Sequence, residues 1–515
     1  MERRIIMEDF VQSSQKQTRR PLVLAFLVIS MFMAAIEGTI VATAMPDIVA
    51  DLGGFSVYSW VFSSFLLMQA VTTLIYGKLS DLFGRKPVFL IGVIIFLVGS
   101  ILCGLATTMT MLVIFRIVQG IGAGAVQPIA TTIVGDMYTM EERSKIQGYL
   151  ASVWGISSVI GPLAGGLIVN FSDWAWIFWI NVPLGTVAMI GVFLFFHENV
   201  SREKKSIDYL GSGLFFISIS SLIVVLVKGG VNWSWGSPQV VILLTIFVLS
   251  VLFFLLQEKR AATPMMPLTI WKNKLITTAN LATLTSGMII IGLSSFIPTY
   301  VQAVMGYSSI IAGFTLCTLS IGWPVSSTIA GHLVLKIGFR KTALIGGFAL
   351  LIGGLLFYFL TPSNGPLYVG FSSFVVGVGM GFSSTPFIVS IQASVDWKMR
   401  GVATSLNMFM RIIGSALGAA VLGAILNLKM NEALSENGKK LDLEFTVSNT
   451  DILLDKKMRN NLSPEAFDLL QQSLTEALHA VYTGLVILSF VTFLLILFFP
   501  AKANQAVVRK QPQDS

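Results

Sequence analysis

Long apolar stretches alternate with short polar connections along almost the whole chain. Fourteen of them come near the roughly 20 residues that an α-helix needs to cross a bilayer. They lie at 22–44, 57–76, 88–106, 111–135, 146–169, 177–196, 209–227, 239–256, 275–300, 310–334, 342–360, 367–391, 402–426 and 479–499. The pattern predicts fourteen membrane-spanning helices. Arg19 and Arg20 precede the first stretch, and Ala42-Thr43-Ala44 looks like a cleavage site. The stretch is nevertheless longer than the roughly 7–15 apolar residues of a signal peptide, and further spans follow it, so it reads as a retained first helix.

The polar connections give the topology. Lys and Arg gather in alternate ones: Lys78, Arg85 and Lys86; Arg143 and Lys145; Arg202, Lys204 and Lys205; Lys259, Arg260, Lys272 and Lys274; Lys336, Arg340 and Lys341; Lys398 and Arg400; then Lys502, Arg509 and Lys510. The short connections on the opposite side hold little beyond Lys228. Basic residues mark the cytoplasmic side, so both termini are expected inside the cell. One outer connection is long, about 427–478, and carries both signs of charge. Ser463-Pro464-Glu465-Ala466, followed by Phe467, Leu470 and Leu474, predicts a short surface helix within it.

Composition agrees with lipid as solvent. Only 12% of the 515 residues are charged and 54% are hydrophobic, against roughly 25% charged in soluble domains. The net charge of +8 is spread through loops rather than along one face, so nucleic acid is not an expected partner. Cys103 and Cys317 lie in apolar segments and are expected to be buried small side chains, not a disulfide. Three scattered histidines offer no metal site. There is no phosphate-binding loop and no recognisable nucleophile–base pair, so neither ATP-driven chemistry nor an enzyme is expected. No cofactor is expected either.

The chain also repeats itself. The run from Gly77 to Lys86 is echoed from Gly331 to Lys341, with Gly338 standing 254 positions after Gly84. Gly120, Gly122, Gly124 and Pro128 are echoed by Gly377, Gly379, Gly381 and Pro386, and Arg143 by Arg400, the first glycine and the arginine each at an offset of 257. Three matches at nearly one offset argue for duplication. Two pseudo-symmetric six-helix bundles with two further helices between them would make up the fourteen, and paired halves around a midplane cavity suit alternating access. The expected division is 1–200, 201–274 and 275–515.

Several segments resemble a known family. Gly77-Lys78-Leu79-Ser80-Asp81-Leu82-Phe83-Gly84-Arg85-Lys86 is similar to the loop signature of major facilitator transporters, and Arg116-Ile117-Val118-Gln119-Gly120 to their fourth-helix signature. Gly155 and Gly161-Pro162-Leu163-Ala164-Gly165-Gly166 resemble the fifth-helix signature of the antiporter branches. Glu37-Gly38-Thr39-Ile40-Val41 and the run Trp174–Gly185 resemble the fourteen-helix drug:proton antiporter group. The resemblance implies an all-α major facilitator fold in a bacterial cell membrane. It also implies export of amphipathic drugs or other toxic small molecules, a proton gradient as energy source, and a monomer. Two departures stand out: Glu37 replaces the usual aspartate, and Leu335 stands where Asp81 stands in the first half.

Glu37 interrupts an apolar helix, and a charge at the bilayer centre costs about 2.5–3.5 kcal/mol on insertion scales. Glu37 lies seven residues before Ala44, and Arg116 five after Met111. Both therefore sit on the order of 10 Å from the outer boundary. Glu37 is the expected proton carrier and Arg116 its modulator; a static ion pair is the alternative. Desolvation favours the neutral acid and a guanidinium favours the anion. Gln119, Arg411, Met33 and Met68 are candidate cavity residues. Met31 and Met408 are further candidates, and packing is the alternative for all but Arg411, which could instead pair with a carbonyl. Gly77, Asp81, Gly84, Arg85, Lys86 and Arg143 read as a conformational latch, Asp81 accepting from a guanidinium or from helix N-terminal amides. For Arg85 and Lys86, pure topology signalling is the alternative. Gly161 and Gly165 share a helix face that permits close packing, and Pro162 favours a bend. His332 is expected to be a satisfied interfacial side chain, and Trp174, Trp176 and Trp179 to anchor an interface. Dedicated export of one metabolite, peptide or siderophore, or a membrane sensor that no longer transports, are the competing functional readings.

Overall fold

The computed structural model describes residues 18–52, 58–198, 208–228, 233–261, 264, 266, 268–307, 309–441 and 463–500. Each of the fourteen predicted stretches falls on a helix. The first seven are α1 Arg20–Leu52, α2 Tyr58–Phe83, α3 Arg85–Gly104, α4 Met109–Met137, α5 Met140–Phe171, α6 Trp176–Phe195 with a break at Ile180, and α7 Tyr209–Lys228. The remainder are α8 Pro238–Arg260, α9 Lys274–Thr299, α10 Ser309–Ile337, α11 Phe339–Tyr358, α12 Gly365–Ala393, α13 Trp397–Leu441 and α14 Pro464–Leu497. Among the described residues, ten helical spans are long and apolar enough to cross a membrane. The protein is an all-α, multi-pass membrane protein.

The duplication read from the glycines reappears in the packing. A Cβ on Gly120 or Gly124 would strike α2, at Phe65 O (2.5 Å) and Thr72 Oγ1 (2.1 Å), while one on Gly122 would strike α3 at Phe96 N (2.2 Å). In α12, Gly377 and Gly381 face α10, at Leu319 O (2.4 Å) and Ser326 Oγ (2.0 Å), and Gly379 faces α11 at Leu350 N (2.7 Å). The same alternation thus wedges α4 between α2 and α3, and α12 between α10 and α11. Small residues allow backbones to approach this closely in lipid. The turns repeat too. Gly84 (φ 97°) joins α2 to α3 and Gly338 (φ 85°) joins α10 to α11, both in a backbone region that only glycine enters readily.

The chain forms two compact units. The first comprises Met1–Met137, Ile160–Ser206 and Trp397–Val402; the second comprises Tyr138–Val159, Ile207–Asp396 and Ala403–Ser515. Helices α7 and α8 fall in the second unit. Phe215 of α7 packs as a tilted ring pair, at 5.5 Å, on Phe254 of α8 and, also at 5.5 Å, on Phe409 of α13. The opening part of α5 also belongs there, pressed against α10. A Cβ on Gly148 would meet Thr328 Oγ1 at 2.2 Å, one on Gly155 Ser320 O at 2.5 Å, and one on Gly331 Ser144 O at 1.9 Å.

The long connection differs from its sequence reading. Helix α13 continues to Leu441 and α14 already begins at Pro464, so helix covers both ends of 427–478; residues 442–462 lie outside the described residues. The short surface helix expected after Ser463 is the start of α14 itself. Ser463 Oγ accepts from Ala466 N (3.3 Å) as an N-cap. Leu470 and Leu474 are buried in the core of the second unit, which is why the helix does not break before the last span.

Candidate functional site

In the first unit, four helices converge on Glu37. Glu37 (α1) and Arg116 (α4) are 0% and 1% exposed. Arg116 Nη1 donates to Glu37 Oε1 and, at 2.7 Å, to Gln119 Oε1. Its Nε donates to Val61 O (3.1 Å), and its guanidinium stacks 4.0 Å over the Phe65 ring. The other carboxylate oxygen accepts from Asn181 Nδ2 of α6 at 2.5 Å. Ser100 Oγ of α3 accepts from both Asn181 Nδ2 (3.2 Å) and Gln119 Nε2 (2.7 Å). Cys103 Sγ reaches Gln119 Oε1 at 3.7 Å. Gly99 lets the α3 and α4 backbones close around this network, since a Cβ there would lie 2.5 Å from Gln119 N. Asn181 Oδ1 alone among these groups is a buried acceptor with no hydrogen-bond partner. The site is therefore an enclosed acid with a matched cation and one spare acceptor beside it.

A second network, also in the first unit, surrounds the Gly77–Lys86 turn. Asp81 accepts from the amides of Gly401 (2.9 Å) and Val402 (2.8 Å) in the opening turns of α13, and pairs with Arg85 Nη1 at 2.5 Å. Arg85 is fully buried. Its Nε pairs with Asp136 Oδ2 (3.1 Å), its Nη2 donates to Trp397 O (2.9 Å), and its guanidinium lies 4.4 Å over the Trp397 ring. Asp136 also accepts from Arg400 Nη1 (2.6 Å). Helix α3 starts on a carboxylate: Arg85 N and Lys86 N donate to Glu198 Oε1 and Oε2, both at 3.0 Å, as the unpaired amides of a helix N-terminus favour. Ser80 Oγ donates back to Gly77 O (2.8 Å). Of the partners expected for Asp81, the guanidinium is that of Arg85, and the amides are those of Gly401 and Val402 in the second turn of α13 rather than its first. Arg143 is buried within the second unit, with Nε directed at Thr139 O (3.4 Å).

The other sequence candidates are scattered. Gly155 meets α10 as described, and a Cβ on Gly161 would lie 1.9 Å from Thr39 Oγ1 in α1. Gly165 is buried, whereas the surroundings of Pro162 and Gly166 lie outside the described residues. Met33 and Gln119 have no exposed surface and Met68 is buried, so all three sit in packing rather than along an open cavity in this conformation. Met31 and Met408 are likewise buried. Arg411 is half-buried, 5.9 Å over the Trp323 ring. His332 Nδ1 donates to Thr328 O (2.9 Å), the satisfied role expected. Trp174 departs from its interfacial reading: it is buried, and its Nε1 donates to Asp51 Oδ2 (2.8 Å). The sequence reading missed Asn181, Ser100, Asp136 and Glu198. Asn181 lies within the run Trp174–Gly185, and Asp136 is the one acid in α4, so each left a signal.

Residues 27–419 match the family model described as Major Facilitator Superfamily. The chain is 38% identical over 427 residues to Multidrug resistance protein 3 of Bacillus subtilis (strain 168), covering 82% of this chain and 83% of that one. It is 32% identical over 521 residues to Multidrug transporter protein MdtP of the same organism, covering 97% and 96%. In fold it is similar to the crystal structure of the human organic anion transporter MFSD10, with a TM-score of 0.64, 13% identity, and coverage of 93% of this chain and 100% of that one.

Proposed function

From a chain that belongs to the major facilitator superfamily, and is therefore a membrane transporter and not an enzyme, we propose a proton-coupled antiporter that exports amphipathic drugs or other toxic small molecules. The observation that carries this reading is the enclosed acid Glu37, held between Arg116 and Asn181. An intramembrane carboxylate is expensive and marks an ion or proton path by default. The multidrug names of the two Bacillus relatives support broad export over a dedicated substrate.

With Glu37 ionised, Arg116 and Asn181 occupy both oxygens. Protonation removes the attraction to Arg116 and turns one oxygen into a donor. Asn181 carries an acceptor, Oδ1, that has no other partner, and rotation of its amide presents that acceptor to the acid. Each charge state of Glu37 then has its own hydrogen-bond set, and the two sets differ in how tightly α1 is tied to α4. A proton arriving from one side and leaving to the other switches between them. The protein works as a monomer, with both termini and the Gly77–Lys86 turn on the cytoplasmic side of the cell membrane. The Asp81 network on α13 favours the outward-facing state.

The test is dye transport into inverted vesicles with and without an imposed pH gradient. Wild type accumulates dye only when the gradient is present. Glu37→Gln loses that dependence while still being inserted at the wild-type level. Gradient-driven transport that survives Glu37→Gln removes Glu37 from the mechanism.

A further inference from the structure

The second unit holds an arginine of a different kind. Arg85, Arg116 and Arg400 each reach a carboxylate. Arg411 lies fourteen residues into α13, inside the span Trp397–Leu434, and its guanidinium makes no ion pair or hydrogen bond among the described residues. The indole of Trp323 lies 5.9 Å from the guanidinium carbon. An indole face at that range attracts a cation weakly and satisfies none of its five donors.

The surroundings are rigid. One turn before Arg411, Asn407 Nδ2 donates to Asn280 Oδ1 (3.0 Å) and Thr283 Oγ1 (2.9 Å) of α9. One turn after it, Ser415 Oγ donates to Gly287 O (3.2 Å). Glycines on both helices bring the backbones together: a Cβ on Gly287 would lie 2.3 Å from Arg411 O, and one on Gly414 2.1 Å from Leu284 O. Trp323 is fixed in turn, its Nε1 donating to Ser384 Oγ of α12 (3.2 Å). The scaffold around the guanidinium is complete, and Arg411 is half-buried within it. Its planar fork of donors matches a carboxylate or phosphate with two parallel bonds.

We infer that Arg411, backed by Trp323, receives an anionic group of the exported molecule, so that amphipathic acids and zwitterions are substrates alongside cations. The inference rests on the export reading above and narrows its substrate class; it does not depend on Glu37 being the proton carrier.

The experiment compares a rhodamine that bears a free carboxylate with its methyl ester, which is a cation of the same shape. Both are offered to inverted vesicles holding equal amounts of monodisperse wild type, Arg411→Gln or Arg411→Lys. Wild type is expected to move both dyes. Arg411→Gln should lose roughly tenfold or more of the transport of the acid, the loss of one charge-assisted contact, with the ester changed by less than about twofold. Arg411→Lys should keep part of the acid transport. Equal losses for both dyes in Arg411→Gln would overturn the inference, as would a wild type that moves the ester alone. A wild type that moves neither dye defeats the export reading and this inference with it, whereas transport of both without need of a pH gradient defeats only proton coupling.

Discussion

Arg116 shows why one arginine cannot be exchanged for another cation here. Its Nη1 serves both Glu37 and Gln119, its Nε serves a backbone carbonyl, and its plane covers Phe65. Arg116→Ala should lower stability by about 3–5 kcal/mol, because it strands a buried carboxylate. Removing both charges in Glu37→Gln/Arg116→Gln should cost less than Arg116→Ala alone. Thermal unfolding in detergent reads this order, and a double variant weaker than Arg116→Ala would contradict it. Arg116→Lys should fall between wild type and Arg116→Ala, since an ammonium keeps the charge and loses the fork. At this scale the sequence was informative about charges and nearly silent about neutral partners. Glu37 and Arg116 announce themselves by their cost in lipid. Asn181 and Ser100 do not, because a neutral polar residue in a membrane helix is cheap enough to be ordinary.

Between elements, glycine positions set what can touch. A Cβ on Gly401 would lie 2.6 Å from Asp81 Oδ1, 2.7 Å from Ser80 Oγ and 2.8 Å from Gly77 O. Gly401→Ala should therefore lift the start of α13 off Asp81 and slow transport as Asp81→Asn should, with little added loss when the two are combined. Initial transport rates in vesicles decide it; additive losses would mean that Gly401 acts elsewhere. In α10 two glycines make an internal control. Gly331→Ala meets Ser144 O and should destabilise by about 1–3 kcal/mol, whereas Gly313 faces open space. Gly313→Ala should be neutral or stabilising by up to about 1 kcal/mol, as in any helix interior. Equal melting temperatures for the two variants would refute the packing argument. The glycine triplets were legible beforehand because spacing survives duplication. Which neighbour each glycine meets was not, since that depends on helix rotation.

For the whole molecule, the charge alternation predicts sidedness. In a background lacking Cys103 and Cys317, Ser234→Cys lies between α7 and α8 and Lys336→Cys at the end of α10. A membrane-impermeant maleimide applied to intact cells should label the first and spare the second. The reverse labelling would invert the topology. The fourteen helices followed from apolar length alone, ten of them long and apolar enough among the described residues to cross a membrane, whereas the grouping of α7 and α8 with the second unit depends on ring contacts such as Phe215 with Phe409, which no local pattern encodes. The connection between α13 and α14 misled for a related reason: its ends carry charge, yet their apolar faces are long enough to continue the helices.

The two glycine turns, Gly84 and Gly338, are copies, but their surroundings are not. Where the first turn has Asp81 and a buried Arg85, the second has Leu335 and a buried Phe339. An ancestral joint has been kept twice and its electrostatic bolt once. In the proposed cycle, strengthening or loosening that bolt would tip the resting balance of conformers through the first turn alone, with no matching counterweight at the second.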